Sequence, residues 1–171
     1  MSYAVVRTDL MHGEWNAADL VSLRFCTYES ATYTPAEIEN GVIAKLVALE
    51  DGQREIWTAV AATGSDTSFV DCVLVAGVEV MYDERKHNLD EFINEAGKAT
   101  RGYRLRQGDI FSVTKEAFAS STAPSSIGAS VYVGANGKLA TTGTTALGKY
   151  IHKETKNGVD YYAVQVGAIS D

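Results

Sequence analysis

The chain has 171 residues, 46 % hydrophobic and 22 % charged, with fifteen glycines against two prolines. A chain of that size buries roughly two thirds of its unfolded surface without help from metal or disulfide, and its composition excludes collagen-like and low-complexity disordered classes. Fifteen Lys and Arg against twenty-two Asp and Glu leave a formal charge of −7, which argues against a nucleic-acid binder whose whole surface is its footprint.

The first forty residues mix short apolar pieces with polar ones and hold no sustained period, so residues 1–40 are expected to form an extended arm or irregular strands. From Val42 the pattern is strand-like. One run over 42–49 and another over 55–60 flank Asp51-Gly52, a hairpin signal because both central positions of a type I′ turn need positive φ. A polar loop follows over 63–68, then one long or two short strands over 69–81, with Ala76-Gly77 marking a bend or bulge. Leu89, Phe92, Ile93 and Ala96 lie at helical spacing. Asn88 serves as cap, Glu91 as the third position of a capping box and Gly97 as left-handed exit, so a short helix is expected over 89–96.

The second half alternates with period two. Tyr103-Arg104-Leu105-Arg106 reads as a strand, Gln107-Gly108-Asp109 as a turn and residues 110–114 as its continuation, followed by a surface connection over 119–126. Gly134-Ala135-Asn136-Gly137, a turn with positive-φ residues, separates runs over 131–133 and 138–140, and Lys156-Asn157-Gly158 between 147–155 and 159–166 is the clearest hairpin in the chain. At least seven strands, one short helix and no repeated strand-helix-strand unit predict a mainly β protein: a small β-barrel or sandwich with one short helix and an extended N-terminal arm. The expected division is an arm over 1–40 and a β-rich body over 41–171, with residues 53–97 as a conceivable inserted or second lobe.

Chemistry-bearing motifs are sparse. His12, His87 and His152 show no two-ligand metal spacing, and Cys26 and Cys72 read as two reduced, partly buried thiols, one disulfide being the alternative. No phosphate loop, nucleophile elbow or dinucleotide signature occurs. Neighbours on a strand face opposite ways, so Asp83-Glu84 and Asp90-Glu91 give poor support for a paired-carboxylate glycosidase. The expectation is therefore a non-enzyme without metal or cofactor. The stretch 69–81 is broken by Asp71 and Glu79, and the first residues lack a signal-peptide pattern, so no membrane association is expected.

Two features read as contact candidates. Lys98, Arg101, Arg104 and Arg106 concentrate positive charge in an acidic chain, and alternate Arg104 and Arg106 would share a strand face suited to an acidic partner. Tyr28 and Tyr33 in the N-terminal region, with Tyr150, Tyr161 and Tyr162 in the last hairpin, are residues that protein or sugar surfaces engage. Tyr161 and Tyr162 must face opposite sides, one to the core and one to solvent.

The pattern through Gly108-Asp109-Ile110-Phe111-Ser112-Val113, Ile127-Gly128-Ala129-Ser130-Val131-Tyr132, Gly137-Lys138-Leu139, Leu147-Gly148-Lys149-Tyr150-Ile151 and Tyr162-Ala163-Val164-Gln165-Val166 resembles the small β-rich head decoration proteins of tailed bacteriophages, over roughly residues 98 to 166. That resemblance implies a β-tulip or barrel-like body on the virion surface, made in the host cytoplasm, non-catalytic and bound to the major capsid protein. It makes residues 1–40 a capsid-gripping arm and Arg101, Arg104, Arg106, Tyr28 and Tyr33 capsid-contact candidates, with a dimer or trimer as the oligomer. A carbohydrate-binding β-module and a tail tube or connector subunit are the alternatives.

Overall fold

The computed structural model describes residues 2–8, 11, 19–66, 71–81, 85 and 88–167. The strands are β1 (Leu20–Glu29), β2 (Thr32–Pro35), β3 (Ile43–Leu49), β4 (Ile56–Ala61), β5 (Cys72–Val75), β6 (Thr100–Arg104), β7 (Ile110–Val113), β8 (Ser130–Val133), β9 (Leu139–Ala140), β10 (Ala146–Lys156) and β11 (Val159–Val166). The fold is mainly β, as the sequence pattern predicts. β1 pairs parallel with β4, which continues antiparallel through β3, β5 and β6, and β6 returns to pair with β1. Those five strands close a barrel, with β2 folded back on the second half of β1. The remaining strands form an open antiparallel sheet in the order β7-β11-β10-β8-β9.

Side-chain size explains the closure. A five-stranded barrel has little interior, and it is filled by Leu23, Ala44, Leu46, Ala59, Val73 and Val75, with Phe25 and Trp57 packed against them. Gly102 is required there, since a Cβ would lie 2.8 Å from both Leu23 Cδ2 and Val73 Cγ2. The opposite faces of the same strands, Ile43, Cys72 and Leu74, pack on Phe111, Val113, Val131, Leu147 and Val164 of the open sheet. β5 is therefore buried on both faces, which is why its sequence is an unbroken apolar run.

The first forty residues do two things. Val6 bridges Val113, Arg7 N–H donates to Ser112 O at 2.8 Å and Thr114 N–H to Val5 O at 3.0 Å, so the start of the chain runs antiparallel along the edge of β7. Residues 20–35 then enter the barrel as β1 and β2. Segment 53–97 likewise supplies β4 and β5 to the barrel wall.

The local expectations fare unevenly. Asn157 (φ 53°) and Gly158 (φ 78°) form the two-residue hairpin that their identities demand, and Asn136 and Gly137 also take positive φ. Asp51-Gly52 does not make a type I′ turn. Only Gly52 has positive φ, and the connection is a wider loop in which Glu50 N–H donates to Ile56 O and Gln53 N–H to Glu50 O. The expected helix over 89–96 is a single 3₁₀ turn, Leu89–Glu91. Its cap forms, with the Glu91 carboxylate accepting the Asn88 N–H at 3.0 Å. Phe92 is already extended because Asn94 is claimed by Ile38: the two exchange backbone hydrogen bonds of 3.0 and 2.9 Å, and Asn94 Nδ2 also donates to Ile38 O. Tertiary pairing thus outcompetes helical spacing.

Candidate interaction surfaces

The basic strip does not survive as a strip. β6 ends at Arg104, because Asp109 draws the chain into a turn by accepting the Arg106 N–H on Oδ2 at 2.7 Å. Arg104 pairs in register with inward-facing Val73, and its guanidinium lies 5.9 Å from the Trp57 ring centre. Arg106 directs Nε (3.0 Å) and Nη2 (2.7 Å) at Oδ1 of Asp19, a carboxylate that is almost wholly buried. The expectation that Arg104 and Arg106 share a strand face is corrected: one lies over the Trp57 ring and the other neutralises a buried acid. Arg101 is exposed on the outer wall, and Lys98 pairs with Glu95 at 2.7 Å.

Tyr28 and Tyr33 are brought together. They are register partners across β1 and β2, their ring centres 4.7 Å apart and their planes tilted by 34°. Both are open to solvent, Tyr28 at 56 % and Tyr33 at 43 %. The turn joining their strands is Ser30-Ala31, with φ of 49° and 62°. Neither residue is at home in the left-handed region, where a Cβ costs roughly 1–2 kcal/mol. Strain, cross-strand stacking and exposure coincide at one hairpin tip, a combination not readable from a sequence lacking Asn or Gly at the turn.

The C-terminal tyrosines are less available than expected. Tyr162 packs edge-on to Phe118 (6.0 Å, 74°) and beside Tyr150 (5.9 Å) on the core face. Tyr161 faces the other way but is buried, because the N-terminal segment along β7 lays Arg7 over its ring at 5.2 Å. The expectation of one exposed ring fails for that reason.

The titratable groups are tied to structure. Burial pushes the Cys72 thiol up to about 12 and raises that of Cys26, so both free cysteines are poor nucleophiles. Burial also raises Glu79, which accepts a hydrogen bond from Asn40 Nδ2 at 3.3 Å. Among the described residues no three His, Cys, Asp or Glu side chains are grouped to hold a metal ion, and no helix is long and apolar enough to cross a membrane. His12, His87 and the Asp83-Glu84 pair lie outside the described residues, and His152 is exposed on β10.

A feature the sequence analysis did not single out is a groove of about 410 Å³ beside β6, bounded by Val78, Val80, Phe92, Ile93, Lys98 and Arg101. Its one sequence signal is the alternation Val78-Glu79-Val80. These elements define a closed five-stranded barrel packed on an open sheet, with an aromatic hairpin tip and a partly apolar groove beside Arg101 on its surface. Comparison of the chain with protein-family models, with curated proteins and with solved structures finds no match.

Proposed function

We propose that the chain is a non-catalytic structural protein of a virus particle that attaches to the assembled capsid and stabilises it, with the β1–β2 hairpin as its main contact. The observation that carries this reading is the exposed Tyr28–Tyr33 pair on a strained turn rooted in a closed barrel. Rigid aromatic anchors supply contact area at low entropic cost, and strain at a surface turn is retained where the surroundings over-determine it. The resemblance over residues 98 to 166 supplies the particle as context. Binding the assembled lattice better than free capsid subunits would raise particle stability by linkage, and repetition over the shell converts weak contacts into high occupancy.

The reading moves the contact away from Arg104 and Arg106, whose guanidiniums are engaged within the chain, and keeps Arg101, Tyr28 and Tyr33. Co-sedimentation of the purified protein with particles lacking it, followed by cryo-electron microscopy, tests it. The expected result is ordered density with the hairpin against the major capsid protein, lost in Tyr28→Ala/Tyr33→Ala. A folded, monodisperse protein that fails to bind shells at micromolar concentration overturns it.

The same tyrosines favour a second reading, a carbohydrate-binding module, in which the ring faces stack on a sugar. Saturable glycan binding by the isolated subunit, abolished by the double alanine variant, would support that reading, and rings or tubes in negative stain would instead support a tail subunit.

A further inference from the structure

Val78 and Val80 are 61 % and 52 % exposed, although the chain has buried core positions within a few residues of them. Their orientation is imposed from beneath. Asn40, itself 1 % exposed, accepts the Gly77 N–H on Oδ1 at 2.8 Å and donates through Nδ2 to Gly77 O at 3.1 Å and to Glu79 Oε1 at 3.3 Å. Asn94 Nδ2 adds a 2.9 Å hydrogen bond to the same Oδ1, and Thr100 Oγ1 holds Asn94 Oδ1 at 2.6 Å. With Glu79 drawn inward, alternation turns both valines outward. Gly77 cannot be replaced without displacing this network, since a Cβ there would lie 2.1 Å from Asn94 Oδ1. A satisfied buried polar network thus fixes an apolar ridge toward solvent.

Opposite that ridge stand Phe92 and Ile93, released from helix by the Ile38–Asn94 pairing, and the rim carries Arg101 together with the Lys98–Glu95 ion pair. The alternation that points Gly102 into the barrel points Arg101 out of it. Of the three arginines in the former strip, Arg104 is committed to Trp57 and Arg106 to Asp19. The Arg101 guanidinium makes no hydrogen bond or ion pair with any described residue, in a chain whose net charge is −7. A cavity of 410 Å³ accommodates a few side chains rather than a folded domain.

We propose that this groove docks an extended acidic-apolar segment of the partner protein, with its apolar side chain on Val78, Val80 and Phe92 and its carboxylate on the Arg101 guanidinium. Charge complementarity selects the occupant: an exposed arginine beside apolar walls favours an anionic segment that also buries hydrocarbon. The proposal rests on the reading that the partner is a protein, and it adds the chemistry of the segment that is read.

The test titrates the full chain with an end-blocked peptide of alternating leucine and aspartate, followed by amide chemical-shift mapping. Leucine-lysine and serine-aspartate peptides serve as controls. Shifts centred on Val78, Val80, Phe92 and Arg101 are expected for the leucine-aspartate peptide alone. Arg101→Glu should weaken it at least about tenfold, the factor that loss of one charge-assisted hydrogen bond implies. Val78→Ser/Val80→Ser should abolish binding with the unfolding midpoint unchanged. Equal binding of the lysine peptide, shifts elsewhere, or affinity indifferent to Arg101→Glu would overturn the proposal. So would a wild-type dimer that dissociates in Val78→Ser/Val80→Ser, because the face would then belong to a second copy. Tyr28→Ala/Tyr33→Ala, carried in parallel, should lose shells but keep the peptide, so failure of the hairpin reading and failure of the groove reading are separable.

Discussion

The β1–β2 and β10–β11 hairpins turn on the same backbone, two successive residues at positive φ, with opposite residue choices. Asn157-Gly158 occupies that conformation readily, and its tip displays polar side chains, among them the Lys153–Asp160 ion pair at 2.7 Å. Ser30-Ala31 occupies it against its preference, and its strands display stacked tyrosines. The β10–β11 hairpin grows from an open sheet and the β1–β2 hairpin from a closed barrel whose strand β1 is paired on both sides. The difference teaches where strain is tolerated: the barrel fixes β1 so firmly that the turn has to follow.

Breaking the barrel should therefore have the largest effect. Gly102→Val forces a side chain between Leu23 and Val73 and is expected to lower the unfolding free energy by about 3 kcal/mol in urea denaturation, whereas Gly158→Ala, in open space but at φ 78°, should lose only about 1 kcal/mol. Next comes the clamp where β1 begins. Asp19→Ala removes the buried partner of the partly exposed Arg106, at a cost of about 2 kcal/mol by the same measurement. Equal losses from Asp19→Ala and from Asp160→Ala would deny the barrel its special role.

Exchanging the turns sharpens the comparison. Ser30→Asn/Ala31→Gly should gain about 1 kcal/mol, while Asn157→Ser/Gly158→Ala should lose about 1.5 kcal/mol, somewhat more than Gly158→Ala alone. Unchanged thermal midpoints in both would remove the strain argument. The smallest effects are in pH dependence. Burial opposes ionisation of Asp66, but hydrogen bonds from Lys45 and Thr63 hold its carboxyl below the ordinary value. Its contribution is present above the unfolded carboxylate range, about 3.9, and lost as pH falls through the lower folded value. Glu79 has the opposite sign. Its raised value gives stability that is full below about 4.3 and lost as pH rises through the folded value, so Glu79→Gln should stabilise at pH 7 and not in acid, read from unfolding midpoints across pH. Asp160 is also lowered, by Lys153 and Thr155, yet lies at an exposed tip, so Asp160→Asn should alter the acid limb less than Asp66→Asn.

Much of the fold was legible along the chain and little of the contact surface was. Asn157-Gly158 and Asn136-Gly137 announce their turns because positive φ is a property of the residues in the turn. Ser30-Ala31 carries no such mark, since its conformation is imposed by register between Tyr28 and Tyr33. The basic strip was visible as composition, but whether an arginine is free depends on Asp19 and Trp57, remote in sequence from Arg106 and Arg104. The groove was hidden because its ridge is oriented by Asn40, far upstream of Val78.

The sequence by itself determined that this protein is β-rich, where its most local hairpins fall and that its surface is acidic, because turn preference, two-residue alternation and charge are written in neighbouring residues. Only the tertiary structure decided that β1 runs parallel to β4 and is closed by β6, that the helix over 89–96 stops after one turn, and that Arg101, Tyr28 and Tyr33 remain at the surface while Arg104 and Arg106 are engaged within the chain. Each of those outcomes is a competition between a local preference and a partner distant in sequence, and the partner prevails because burial and pairing outweigh the fraction of a kcal/mol that separates local conformations.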